Sequence, residues 1–167
     1  MKFKFKNKIF EVNPLSLKNI NLDYVKKTSN EFINYEKKTI EAQKRYVKDI
    51  RKKGNEIYQI KYKKKLIATA GFQFYNLRTY QGLLIINDDF IGKGYAKYFI
   101  YSSLLFVNKS MKKKIFYANI DKRNIASIKS FLAAGYKISK KKKFSLTLHL
   151  YKQKIVNKIE KKIQILK

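Results

Sequence analysis

Cysteine is absent from this chain, which excludes disulfides, thiol catalysis, a thioester-linked enzyme intermediate and thiolate-ligated metal sites. Arginine is scarce, occurring only at Arg45, Arg51, Arg78 and Arg123. Interfaces that read base edges lean on the planar, bidentate guanidinium, so a lysine-dominated chain argues against sequence-specific nucleic-acid recognition. The single histidine, His149, lies in the alternating run Phe144–Leu150, where it points with Ser145 and Thr147 away from the apolar face and is a poor candidate base. Long hydrophobic runs are also missing. Met1–Lys6 alternates charged and aromatic residues with no continuous apolar segment, so it does not read as a secretory signal, and no stretch approaches a membrane span. The expected compartment is the cytoplasm.

What is present fits one domain with a substantial core: 167 residues, 45% of them hydrophobic and 15% aromatic. The formal charge of +29 ordinarily points to nucleic acid, an anionic membrane face or acidic ligands. Lys, Asn, Ile, Phe and Tyr are also the residues that A/T-rich codons favour, so the charge alone assigns no partner.

Phe3, Phe5, Ile9 and Val12 suit a strand ended by Asn13-Pro14, after which Ser16 can cap a short helix and Asn21–Val25 reads as a loop or turn. Thr39–Lys53 is a stronger helix, with Ile40, Tyr46, Val47 and Ile50 on one face and Gly54-Asn55 as its stop. Glu56–Tyr62 and Leu66–Tyr75 form a hairpin about Lys63–Lys65. Strand Tyr80–Asn87, helix Gly94–Asn108, strand Lys114–Ile120 and helix Asn124–Ala134, closed by Gly135, make a βαβα unit. A last hairpin, Tyr136–Ser139 with Phe144–Tyr151, turns about Lys140–Lys143. The tail from Lys152 to Lys167 places Ile155, Val156, Ile159, Ile163 and Leu166 on one helical face, giving a main domain over 1–151 and a basic amphipathic helix or tail over 152–167.

The stretch Gln81–Phe106 carries the most chemistry. Its apolar strand runs into Asn87-Asp88-Asp89-Phe90 and then into Ile91-Gly92-Lys93-Gly94-Tyr95-Ala96, a glycine turn opening a helix. Glycines there let successive N–H groups point outward, and the helix N-terminus adds partial positive charge, so the turn can hold a phosphate or pyrophosphate. No Gly-Lys-Ser/Thr follows at P-loop spacing and the third glycine of a dinucleotide fingerprint is missing, so another phosphate-bearing cofactor is expected.

A second cluster, Asn119–Tyr136, runs strand, asparagine cap, helix, glycine and aromatic. The two clusters in this order resemble the GNAT superfamily of acetyl-CoA-dependent N-acetyltransferases, over roughly Tyr80–Tyr136 by motif and elsewhere by element order. The resemblance implies an α/β fold of the α+β kind: a central mixed, mostly antiparallel sheet with a splayed parallel strand pair and helices on both faces. It also implies acetyl-CoA as cofactor. The family's Gln/Arg-x-x-Gly-x-Gly/Ala turn maps onto Ile91, Gly94 and Ala96, with Gly92, Lys93 and Tyr95 between. Ile91 departs from the Gln/Arg position and removes one side-chain contact, for which Lys93 and Lys97 can compensate.

The strand ending at Ile86 is expected to diverge from Phe116–Ile120 and leave backbone groups for the pantetheine arm. Asn124 falls where the family's helix-opening asparagine touches that arm, and it is equally good as an N-cap. Phe131 stands at the cofactor side, where many members carry a tyrosine acting as general acid, so that role does not transfer. Catalytic candidates are Asn119, which can position water but not hold a proton, the helix hydroxyl of Ser127, and Asp88 near the mouth. No metal is required.

For the acceptor, Thr39–Tyr46 resembles the Ile-x-x-Glu helix of relatives acting on ribosomal-protein N-termini or nucleotide-linked amino sugars. Phe32, Tyr35 and Tyr75 are candidates to stack on such a substrate. The expected partner is a small-molecule or peptide amine, with no specific nucleic acid, and with homodimerisation through the last hairpin or tail as a further expectation. Two alternatives stand beside this reading: a polyanion or nucleic-acid binding module, and a coenzyme A-binding GNAT-like domain without catalysis.

Overall fold

The computed structural model describes residues 1–28, 39–75, 78–110 (backbone only from 108), 115–151 and 163–166. The apolar alternation of the N-terminus builds two strands rather than one, β1 (Lys2–Phe5) and β2 (Lys8–Pro14). Lys6 and Asn7 both adopt positive φ, 47° and 58°, the backbone sign a two-residue turn needs to match strand twist. The turn keeps Phe3, Phe5, Phe10 and Val12 all buried.

Leu22–Thr28 is a helix, α1, where the sequence suggested a loop. Its start is capped by Asn21, whose Oδ1 accepts from the Tyr24 N–H at 3.0 Å, and packing of Tyr24 and Val25 stabilises a segment too short to hold by propensity. α2 (Ile40–Lys52) begins as expected at Thr39, whose side chain accepts from the Ala42 N–H.

β3 (Glu56–Tyr62), β4 (Lys65–Phe74) and β5 (Thr79–Ile85) form an antiparallel meander, turning first at Lys63 and Lys64, both at positive φ. α3 (Ala96–Ser110), β6 (Ile115–Asp121), α4 (Ile125–Ala133), β7 (Lys137–Lys141) and β8 (Ser145–Tyr151) follow. The sheet order is β7-β8-β6-β5-β4-β3-β2-β1-β9, antiparallel throughout except for the β5–β6 pair.

The outermost strand, β9 (Gln164–Leu166), pairs with β1 through Lys2↔Leu166 and Phe3↔Ile165, and Ile163 before it is buried. The helical face projected for the tail therefore does not extend to Ile163 and Leu166; an open strand edge supplies backbone partners that local periodicity does not reveal. The rest of that projected face, with Ile155, Val156 and Ile159, lies outside the described residues.

Helices cover both faces of the sheet. One face holds an aromatic core in which Phe10, Phe90, Tyr95 and Phe99 meet mostly edge to face, with Phe10 and Phe99 centroids 5.3 Å apart. The other packs Leu15, Ile20, Tyr24, Val47, Ile57 and Ile86 beneath α1 and α2. No helix among the described residues is long and apolar enough to cross a membrane.

Candidate active site

The sheet opens between β5 and β6. These parallel strands pair only at Thr79↔Phe116 and Tyr80↔Tyr117, although β5 stays on β4 as far as Ile85 and β6 stays on β8 as far as Asp121. Beyond Tyr80 each strand therefore turns one hydrogen-bonding edge toward a gap. The Ile86 N–H donates to the Ile67 carbonyl at 2.8 Å, so by strand alternation the backbone groups of Gln81, Leu83 and Ile85 face the opening. Ile86, expected to touch a cofactor, instead spends its N–H on β4 and buries its side chain under α1 and α2. The Asn87 N–H donates to the same carbonyl at 3.1 Å, a bulge that ends the strand and bends the chain away.

A buried polar network closes the floor of the gap. Gln81 Nε2 donates to the Ile100 carbonyl and to Ser103 Oγ, each at 2.9 Å, and its Oε1 accepts from the Tyr136 hydroxyl at 2.7 Å. Both amide hydrogens and one lone pair of the amide oxygen are thus directed toward α3 and the segment after α4, which fixes the angle at which β5 leaves β6.

At the carboxyl end of β5, Asn87 Oδ1 caps the next turn by accepting from the Asp89 N–H at 2.8 Å. Gly92 and Gly94 follow at φ 72° and 74°, and a Cβ built on either would meet nothing within 4 Å. Backbone angle, not crowding, requires glycine here, and the space above the turn is open to a ligand. Ile91 is exposed, Ala96 starts α3, and Lys93 stands at the rim with Lys8, Lys63 and Lys65. Tyr95 is different: its ring is core, packed on Phe5, Phe10 and Phe90, so only its backbone is available to a ligand.

Across the opening, Asn124 Oδ1 accepts from the Ser127 N–H at 3.0 Å, making it the N-cap of α4. Ser127 and Phe131 lie on the helix face toward the gap, with Phe131 buried edge-on against Tyr136. Between β5, β6 and the α1–α2 layer lies a cavity of about 300 Å³, bordered by Tyr24, Gln43, Gln81, Asn119, Asn124 and Phe131 among others. A second chamber of about 270 Å³ adjoins it through Tyr46, Gly82 and Asn119 and reaches Glu56 and Tyr80. Asn119 thus stands between the two, its Oδ1 accepting from Thr147 Oγ1 at 2.9 Å.

The carboxylates at these chambers are already engaged. Arg123 bonds the Asp121 carboxylate through its side chain and backbone and holds that pKa below the ordinary carboxyl range. Glu56 accepts from Arg51 Nε at 2.8 Å. Burial, aided by the neighbouring Tyr46, pushes the Tyr24 phenol up to about 12, against a smaller lowering by Thr69, so Tyr24 keeps its proton at neutral pH.

Of the sequence candidates, Asn119, Asn124, Ser127 and Phe131 are brought together, with the Ile91–Ala96 turn at the end of the same strand. Asp88 is not at the cavity: it is exposed, ion-paired with Lys27 and borders a separate lysine-rich groove. Tyr75 is 57% exposed and leans edge-on against Tyr80 outside both chambers. Phe32 and Tyr35 lie outside the described residues. Tyr24 and Gln81 border the site without being named as site residues from the sequence, and Gln43 and Tyr46 enter there only within the acceptor-like segment Thr39–Tyr46; the local signal for Tyr24 is Asn21, a residue type that caps helices, in a stretch that otherwise reads as a loop or turn.

No protein-family model matches the sequence, and no curated protein matches it. Solved structures do match by shape. A GNAT-family acetyltransferase of Bacillus anthracis is 15% identical with a TM-score of 0.72, covering 92% of this chain and 99% of that one. Spermidine N-acetyltransferase of Vibrio cholerae, in complex with CoA and spermine, is 16% identical with a TM-score of 0.68, covering 89% and 98%. Ribosomal-protein-S5-alanine acetyltransferase of Vibrio fischeri is 15% identical with a TM-score of 0.70, covering 90% and 96%. The chain has the GNAT fold, with the mixed sheet and single parallel pair that the sequence resemblance implied.

Proposed function

We propose that this chain is an acetyl-CoA-dependent N-acetyltransferase, acetylating a primary amine by direct attack in a ternary complex. The observation that carries the reading is the gap between β5 and β6, open on a polar cavity and ending at a glycine turn with room above it. The residues present fit the cofactor: the backbone of Gln81, Leu83 and Ile85 would hold the pantetheine arm, and the turn Ile91–Ala96 with Lys93 and Lys97 would hold the pyrophosphate. When bound, acetyl-CoA would supply the acyl group as a thioester, the broken C–S bond leaving its electron pair on sulfur and the proton shed by the acetylated nitrogen balancing the one that makes the free thiol.

The chain's own residues do the rest. A primary amine has a pKa of about 10 and must lose a proton before attack. Asp121 and Glu56 are both held by arginines, and the lowered pKa of Asp121 makes it a weak base, so the proton leaves to solvent at the mouth. Asn119, fixed by Thr147, orients the amine or a water between the chambers. Tyr24, protonated at neutral pH, offers a hydrogen-bond donor to the reacting groups. Much of the rate then comes from alignment.

The acceptor reading is a protein N-terminus or a nucleotide-linked amino sugar, supported by the likeness of α2 to the Ile-x-x-Glu helix, with Gln43 standing at the Glu position, and by the fold shared with a ribosomal-protein acetyltransferase. An acceptor screen by mass spectrometry with acetyl-CoA tests both: mass gain on peptide N-termini or on the sugar nucleotide supports the reading. Stabilisation by acetyl-CoA with no turnover across the screen would instead make the chain a coenzyme-binding domain, the alternative that Ile91 and Phe131 raise.

A further inference from the structure

One surface lies outside the acetyl-transfer reading. β7 is an edge strand of the described sheet and all five of its residues are exposed. The lysine run spans the end of this strand, at Lys140 and Lys141, and the turn that follows, at Lys142 and Lys143; the turn closes on Phe144, which is 70% exposed and has Lys143 Nζ 5.1 Å from its ring centroid. This tip is fastened to the end of β6. The Lys122 N–H donates to the Phe144 carbonyl at 2.9 Å, Lys122 Nζ donates to the Lys143 carbonyl at 3.1 Å, and the Lys142 N–H donates to the Ser145 carbonyl at 2.9 Å.

Among the described residues no carboxylate answers this charge. No acidic residue occurs between Asp121 and Glu160, the Asp121 carboxylate is taken by Arg123, and no ion pair among the described residues involves Lys140–Lys143. Four like charges beside a large exposed ring present both an electrostatic and an apolar surface that a single ligand can cover together. A phosphate chain carrying flat bases matches both features, the phosphates on the lysines and a base on the ring.

Strand geometry selects between polyanions. β7 carries an irregularity between Ile138 and Lys140, and beyond it successive side chains leave opposite faces of the sheet, so Lys140 and Lys141 point opposite ways. A bilayer is planar and meets one face at a time, whereas a flexible strand can follow an edge. Lysine rather than arginine predicts contacts to backbone phosphate without base readout. We propose that the β7–β8 hairpin is a docking arm for single-stranded RNA, sequence-tolerant, with Lys140–Lys143 on the phosphates and Phe144 as a stacking platform. This does not depend on the acetyltransferase reading.

Fluorescence anisotropy with a labelled oligouridine of about twenty nucleotides tests it, with wild type and three variants of unchanged circular dichroism. The hairpin variant K140Q/K141Q/K142Q/K143Q should bind about tenfold or more weakly and flatten the slope of log K against log salt by about 2 to 3. The control K4Q/K26Q/K48Q/K52Q removes the same charge elsewhere and should lose less than about threefold. Phe144→Ser should weaken binding about tenfold with the salt slope unchanged, as loss of stacking requires. Equal losses in the two lysine variants would overturn the proposal, since total charge alone would then explain binding. So would full displacement of the RNA by coenzyme A, which would assign these lysines to the cofactor. Tighter, hairpin-dependent binding to phosphatidylserine vesicles than to RNA would replace it with a membrane surface.

Discussion

The hydroxyl of Tyr136, just past α4, donates to Oε1 of Gln81 in the middle of β5 at 2.7 Å, a buried bond across 55 positions of chain that ties the two sides of the opening together. Tyr136→Phe leaves that oxygen buried without its donor and should cost about 1–3 kcal/mol in urea unfolding. Because Gln81 sets the departure of β5, the same variant should also reduce stabilisation by acetyl-CoA.

Three phenols, Tyr24, Tyr58 and Tyr136, have raised pKa values and make stability fall in alkali, Tyr24 and Tyr136 being the most buried of them. Burial raises Tyr24 from 10.0 to about 12 and raises Tyr136 well above its ordinary value. The unfolded chain releases these protons near pH 10 while the folded chain keeps them, so their contribution is complete below about pH 10 and is lost as pH rises toward the folded values. Urea midpoints across this range should drop steeply for wild type. They should drop less steeply for Tyr24→Phe, between about pH 10 and 12.

Gly94 distinguishes a ligand turn from an ordinary one. At φ 74° any replacement strains the backbone, by about 1–2 kcal/mol, whether or not a ligand binds there. Gly94→Glu should therefore start from a lower melting temperature and, beyond that, lose the upward shift that acetyl-CoA gives wild type. A variant that still shifts as wild type does would remove the pyrophosphate from this turn.

Asn124 is a helix cap in the structure and a cofactor contact in the proposal, and two substitutions separate these roles. Asn124→Ala should cost about 1 kcal/mol by orphaning the Ser127 N–H, while Asn124→Ser should recover most of it as a replacement cap. Both should show a higher KM for acetyl-CoA, because neither restores the amide.

Asn119→Ala should lower kcat about tenfold or more without changing the thermal shift given by acetyl-CoA, as expected if the residue acts on the acceptor side. A parallel loss of cofactor stabilisation would move Asn119 to the cofactor's side of the cavity.

What could be read from the sequence was whatever is encoded over a few neighbouring residues. The Gly92 and Gly94 turn, the helix beginning near Thr39, the Asn124 cap, the hairpin about Lys63–Lys65 and the order of the βαβα unit each depend on local backbone preferences, and each is present. The wall of the cavity depends on distant partners: Tyr24 and Gln43 from the helical layer face Gln81 and Asn119 from two strands, and no local pattern links them. α1 was obscure because its seven residues are held by packing rather than by propensity. Asp88 was misplaced for a related reason, since its partner, Lys27, comes from that same helix.

The pairing of Lys2 with Leu166 has a consequence for how the molecule is made. The strand nearest the start of the chain receives its outer neighbour only after residues 164–166 have left the ribosome. Until then the nascent β1 edge offers bare N–H and C=O groups to any other extended chain, and the charge on Lys2, Lys4 and Lys6 is what discourages such a meeting. The sheet is thus completed only once residues 164–166 have emerged, when the first and last described strands come to lie side by side.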